Sequence, residues 1–315
     1  MRRFLFIPNL QIHNANALSS PISIGFPAMT AWMGAMHALQ RKIQTLGQCT
    51  LSLKSLAISC HSAELQTYKG DSDFEYSIII KKTPLIFDKK YTSKYPKGMF
   101  RNMYDAPLTG DGFIEEARCH LDVSLLIECE SLEGDQEALL LAAIQSLVHT
   151  MKWASGDVLA VGSCQILHYD PDADGATADL RKIRNRLMPG HVLIERRDLV
   201  QQAMQEQQLD ALDAVLAYLK VQHRPERDDN GQITWTAQRQ VPGWLVPIAV
   251  GFQGISDLGL AKNQRDPHTP HRFAEAILTL GQFVMPYRID AIDDMLWHYQ
   301  TTQEPDLYLC SNSSH

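Results

Sequence analysis

The sequence predicts an α+β fold: a ferredoxin-like, RRM-like antiparallel sheet with its helices on one face, an inserted basic hairpin or finger, and a mixed α/β C-terminal part. Three observations carry that expectation. The segments through residue 170 run in the order β-α-β-β-β-α-β, close to a ferredoxin-like unit with an embellished central hairpin. The strand segments include alternating apolar and polar residues, as expected of strands buried on one side. The two helical segments each present one apolar face, so both can lie on the same side of a sheet and leave the other for a partner.

Taken in order, residues 3–8, RFLFIP, read as a short first strand, and the polar loop NLQIHNANALSS follows. Pro27 opens a helix, where its missing N–H would be unpaired in any case. Met29, Trp32, Met36, Leu39 and Ile43 recur at helical spacing as its apolar face, and Gly47 ends it. TLSLKSLAISCH alternates like a half-buried strand, FEYSIIIKK begins another, and EARCHLDVSLLIECE has strand character again. QEALLLAAIQSLVHTMKW is a helix with Leu140, Ile144, Leu147 and Met151 on one face, and GDVLAVGSCQILH is a further strand.

Composition turns polar and acidic from Pro171 to Asp174. That divides the chain into residues 1–170, the ferredoxin-like domain with a basic finger at 81–112, and residues 171–315, a helical and hairpin part. In the second part ADLRKIRNRLM, LVQQAMQEQQLDALDAVLAYLK, RFAEAILTLGQF and IDAIDDMLWHY read as helices. HRPERDDNGQ reads as a solvated turn, and ITWTAQRQVPGWLVPIAVGF as a hairpin or pair of strands.

A chain of 315 residues, 45% hydrophobic and 21% charged, has the make-up of a globular protein of about two domains. No run approaches the length of a membrane span. The short apolar run near the N-terminus stops at Pro8 and Asn9 with no small-residue cleavage site after it, unlike a signal peptide. The six cysteines are scattered without a CxxC pair, so they read as reduced core residues of a cytoplasmic protein, and no metal site is expected. No GxSxG, HExxH or Walker pattern occurs, and DPDADG at 170–175 is too short for a calcium loop. No catalytic residue and no cofactor are therefore assigned.

Charge is distributed unevenly. KKTPLIFDKKYTSKYPKGMFR, residues 81–101, carries +6 on a chain whose formal net charge is −7. RKIRNRLMPGHVLIERR, residues 181–197, carries +5, and setting both aside leaves the remainder at −18. Lys81, Lys82, Lys89, Lys90, Lys94, Lys97 and Arg101 are interleaved with Tyr91 and Tyr95. Cations that follow phosphates and rings that stack on bases are the two parts of a single-strand nucleic-acid site. Arg181 and Arg184, with Arg265 and His268 in a proline-broken loop, are further candidate phosphate contacts. Asn14, Asn16, Ser19 and Ser20 precede a helix start, whose unpaired N–H groups favour an anion.

Several segments in this order resemble one family: LQIHNANALSSPISIGFPAMTAWMGAMHALQR, EEARCHLDVSLLIE, PGWLVPIAVGF, RFAEAILTLGQF and a terminal LWHY. From about residue 5 to residue 310 the chain is similar to the second Csy subunit of type I-F CRISPR surveillance complexes, the Cas-five branch of the repeat-associated RNA-binding superfamily. That resemblance implies a ferredoxin-like RNA-recognition core and a grip on the 5′ handle of the CRISPR RNA. It also implies partnership with the large subunit and a place beside the adjacent backbone subunit. Asn14, Asn16, Ser19 and Ser20 match the family's NAN…SSP stretch, which implies an RNA-facing role for them. The expectation is thus a non-catalytic RNA-binding subunit, whose finger meets either the guide or target DNA. The alternatives are a metal-independent CRISPR RNA-processing ribonuclease and a pure protein-interaction subunit.

Overall fold

The computed structural model describes residues 1–46, 51–81, 116–130, 137–227, 231–262, 264, 266, 268–300 and 306–312. β1 (Arg2–Asn16) enters the interior at once, with Phe4, Leu5, Phe6 and Ile7 all buried. Apolar residues at successive positions mean burial on both faces of a sheet. Leu5 and Ile7 belong to the main core, while Phe4 and Phe6 belong to a second core on the opposite face. From Leu10 to His13 the strand returns to alternation, with Leu10 and Ile12 buried and Gln11 and His13 exposed.

After the short hairpin of β2 (Leu18–Ser20) and β3 (Ser23–Ile24), α1 (Met29–Thr45) buries the methionine, tryptophan and leucine face expected from its spacing. β4 (Ser52–Leu65) is followed by the exposed pair β5 (Thr67–Tyr68) and β6 (Ser77–Ile78), then β7 (Ile80–Lys81). β8 (Glu116–Glu130) lies between β1 and β4. α2 (Glu137–Thr150) buries Leu140, Ile144 and Val148 in the same core as α1. β9 (Lys152–Trp153) and β10 (Gly156–Ala160) form a tight pair, and β11 (Gln165–Tyr169) follows. The single strand expected across GDVLAVGSCQILH is therefore two. Both lie on β1, β10 along Gln11–His13 and β11 along Arg2–Phe6.

α3 (Ala176–Leu187) packs Leu180, Ile183 and Leu187 onto the Phe4 and Phe6 side of the sheet. β12 (His191–Glu195) follows, then α4 (Arg197–Gln207) and α5 (Ala211–Leu219). One continuous helix was expected over these last two. The chain breaks it at Gln208, in the left-handed region at φ 54°, and Asp210 restarts it by accepting the Asp213 N–H at 2.8 Å.

β13 (Gln222–Arg227) and β14 (Ile233–Gln238) pair as an exposed ribbon where a solvated turn was expected at HRPERDDNGQ. β15 (Trp244–Gly254) pairs with β16 (Ala274–Val284). The latter corrects the helix expected at RFAEAILTLGQF: the segment bonds to neighbours on both sides, and tertiary pairing overrides its helix-favouring alanines and leucines. The helix expected at IDAIDDMLWHY is instead a 3₁₀ turn, Ile292–Met295, running into β17 (His298–Gln300), before β18 (Leu307–Ser311) ends the sheet.

The described sheet runs β17-β18-β15-β16-β12-β4-β8-β1-β10-β9, with β11 also on β1, β7 on β8, and every neighbour antiparallel. This overturns the expected ferredoxin-like, RRM-like sheet with helices on one face. Ten strands form the path rather than the five of the expected unit, and helices cover both faces. The physical cause is the unbroken FLFI run, which needs a second cover and obtains it from α3 and the two 3₁₀ turns, Pro286–Arg288 and Ile292–Met295. Trp297 ties the two halves of the path: it is fully buried, and its indole N–H donates to the Leu193 carbonyl at 2.8 Å. Among the described residues no helix is long and apolar enough to cross a membrane.

Candidate nucleic-acid interface

Among the described residues, the face that α3 covers near Phe4 and Phe6 is uncovered further along β1. There the outward positions are Gln11 and His13 on β1, and Arg118, His120 and Asp122 on β8, all exposed or part-exposed. The alternation in Glu116–Asp122 explains it: Ala117, Cys119 and Leu121 point into the main core, so the polar residues between them point out.

Asn14 interrupts β1 at this half-face. Its backbone sits at φ 57°, a left-handed conformation that asparagine tolerates better than most residues. The excursion breaks the β1–β8 register between Ile12 and Ala15, and the freed backbone groups find side-chain partners. The Asn14 N–H donates to His120 Nδ1 at 3.3 Å, and its carbonyl accepts from the Arg118 guanidinium at 3.1 Å. The Asn14 side chain accepts from Gln66 Nε2 at 2.6 Å and lies 3.0 Å from His13 Nδ1. The His13 and His120 rings stack with centroids 4.1 Å apart, and Arg118 also pairs with Glu116.

Gln66 connects this network to the root of the basic segment. Its backbone N–H donates to Arg118 O and its carbonyl accepts from Ile79 N–H, both at 2.9 Å. Directly after Ile79, β7 pairs Ile80 with Ala117 and Lys81 with Glu116. Asn16 stands opposite Arg118 on the other side of β8. Asn14, Asn16 and Lys81, far apart in sequence, are therefore neighbours at one end of the β1–β8–β7 ladder.

The other predicted residues are placed as follows. The Asn16 side chain accepts the Leu18 N–H at 3.0 Å, and Ser19 and Ser20 bond Ser23 Oγ at 2.9 and 2.7 Å. These groups shape the β2–β3 hairpin, while the α1 N-cap, Ala28, has no side-chain cap. Arg181 is exposed on α3; Arg184 donates to the Asp290 carbonyl at 2.9 Å. Both lie over the Phe4–Phe6 end of β1, about 25 Å along the strand from Asn14 by strand rise. Three other cations of 181–197 are neutralised locally: Lys182 by Asp179, Arg196 by Asp198 and Arg197 by Glu195. His268 is exposed, its N–H donating to Asp266 Oδ1 at 2.9 Å. Lys82, Lys89, Lys90, Tyr91, Lys94, Tyr95, Lys97, Arg101 and Arg265 lie outside the described residues.

Sequence reasoning missed His13, Gln66, Arg118 and His120. For Arg118 and His120 the signal was present, as polar residues at every second position of a strand whose other face is apolar. Nothing in the sequence marks Gln66, whose role follows from the ladder alone. The five described cysteines are buried and unpaired, and burial pushes Cys60, Cys129 and Cys310 up to about 12. Among the described residues no group of three or more His, Cys, Asp or Glu is placed to hold a metal.

Fold and site together define an antiparallel β-sheet protein in which a polar half-face adjoins the root of a strongly basic insertion. Residues 5–310 match the family model of the CRISPR-associated protein (Cas_Csy2), and the chain belongs to that family. It is 29% identical to the CRISPR-associated protein Csy2 of Pseudomonas aeruginosa (strain UCBPP-PA14), across 96% of this chain and 93% of that protein. The resemblance to the second Csy subunit of type I-F systems, read from the sequence segments, thus holds.

Proposed function

We propose that this chain is the non-catalytic RNA-binding subunit of a type I-F CRISPR surveillance complex, holding the 5′ handle of the CRISPR RNA. In this reading it pairs with the large subunit and sits beside the first backbone subunit, in antiviral defence. The observation that carries the reading is the convergence of Asn14, Asn16 and Lys81 at one end of the β1–β8–β7 ladder. The basic segment leaves the sheet beside a half-face bearing Arg118 and two stacked imidazoles. Phosphates following the lysines would bring bases over those rings, and stacking contributes about 1–3 kcal/mol per base.

The test is the salt dependence of binding to single-stranded repeat RNA. About six finger cations on a single strand give a log–log slope of roughly −4. Replacing Lys89, Lys90, Lys94 and Lys97 with alanine flattens that slope by about two to three units. An unchanged slope removes the segment from the RNA site.

A metal-independent ribonuclease is the second reading, favoured by the stacked His13–His120 pair beside Arg118. Against it, the Asn14 N–H donates to His120 Nδ1, which ties that ring to the loop backbone rather than leaving it a mobile proton carrier. Cleavage of repeat RNA in EDTA, abolished by His13→Ala, would replace the first reading with this one.

A further inference from the structure

A second site stands apart from the finger root. Where β12 diverges from β4, the gap between β12, the start of α4 and the β17–β18 pair holds a pocket of about 520 Å³. Its wall is built around a carboxylate. The Glu195 side chain is fully enclosed, ion-paired with Arg197 at 2.5 Å and accepting from Ser311 Oγ at 2.7 Å. Asn312 is fixed beside it, accepting the Glu195 N–H at 2.9 Å and donating to the Asp294 carbonyl at 3.1 Å. Gln300 also lines the pocket, and its buried Oε1 has no hydrogen-bond partner among the described residues.

The electrostatics select the class of ligand. Both arginines in the wall already face their own carboxylates, Arg196 with Asp198 and Arg197 with Glu195. The pocket therefore does not present the uncompensated cations that a phosphate needs. It presents amides and a waiting acceptor, and a buried acceptor without a donor carries a desolvation cost that a ligand N–H removes. Its volume falls within the range of about 300–1,000 Å³ for small-ligand clefts. A flat, neutral ring bearing an amine fits that description.

The geometry points to this pocket as a receptor for one unstacked base of a single-stranded RNA, with Gln300 accepting from the exocyclic amine of adenine or cytosine. The inference rests on the RNA-binding reading above but concerns different residues. It adds base discrimination to a grip that depends on phosphates. The pocket reads one base, and the finger sets the salt dependence.

The test measures anisotropy of the full-length chain with labelled oligoadenylate, oligocytidylate and oligouridylate of about eight nucleotides. Oligoadenylate or oligocytidylate should bind about tenfold tighter than oligouridylate, the discrimination expected of one good base contact. Gln300→Ala should remove that preference while leaving the salt slope unchanged. Gln201 is exposed at the pocket rim, so Gln201→Trp occludes the site without burdening the core and should do the same. Salt-dependent binding with no preference in the parent chain, or a preference that survives both variants, overturns the pocket and leaves the RNA-binding reading standing. Absence of RNA binding at low salt overturns both.

Discussion

Replacing Asn14 separates two roles that one residue plays. Its side chain accepts from Gln66 at 2.6 Å and reaches His13 at 3.0 Å, while its backbone holds φ 57°. Asn14→Ala removes the side-chain bonds and places a Cβ-bearing residue without compensation in the left-handed region. The part-buried Gln66 bond is worth about 1 kcal/mol and the exposed His13 contact less. The conformational cost to alanine is about 1 kcal/mol or more. The sum for Asn14→Ala is about 2–3 kcal/mol. Asn14→Gly loses the same bonds but relieves the backbone, so it should cost about 1 kcal/mol less than alanine. Urea unfolding with a common m-value reads both, and the cycle with Gln66→Ala should show a coupling of about 0.5–1 kcal/mol. Equal losses for alanine and glycine would refute the backbone argument. No loss in either variant would refute the network.

Three further outcomes are expected. At Gly251, where a Cβ would run into the Tyr308 carbonyl, Gly251→Ala should push β18 from β15 and cost about 1–3 kcal/mol in urea unfolding. Arg184→Ala should lower stability by about 1–2 kcal/mol through its bond to Asp290, with the RNA salt slope unmoved; Arg181→Ala, exposed on α3, should leave stability unchanged. Burial holds His61 and His37 below the ordinary histidine value of 6.5, so the unfolded chain takes up protons first on acidification. Their stabilisation is then complete above 6.5 and lost as pH falls from there toward the lowered folded values, and His61→Gln should flatten the urea-midpoint profile in that window.

Elements with a strong single period were legible in the sequence. α1 shows the helical spacing of Met29, Trp32, Met36, Leu39 and Ile43, and β8 shows the alternation of Ala117, Cys119 and Leu121 against Arg118, His120 and Asp122. The assembly of the sheet was not legible, because it depends on segments whose local pattern is ambiguous. AEAILTLGQFV has the composition of a helix, and only pairing with Trp244–Gly254 and His191–Glu195 makes it a strand. The FLFI run held the clue to a two-sided cover, but a continuous apolar run does not say what the second cover is. The site divides in the same way. Asn14 and Asn16 stood out by residue type, whereas Gln66 acquires its part only when β4, β8 and the root of the basic segment meet.

Covering both faces of the sheet bears on the function in a way the expected fold did not. An RRM-like module offers a whole sheet face to RNA. Here α3 and the 3₁₀ turns occupy the Phe4–Phe6 half of that face, and among the described residues the half bearing His13, Arg118 and His120 is left uncovered. That remnant mixes Arg118 with Asp122 and Glu116, on a chain whose remainder beyond the two basic segments is −18, so it is a weak attractor for a polyanion on its own. In the proposed reading, the strongly basic segment rooted at its border would supply what the half-face lacks: long-range attraction from the lysines, beginning at the short β7–β8 pairing beside the stacked rings. If that division of labour is right, the His13→Ala change alters affinity without altering its salt slope, and the lysine changes alter both.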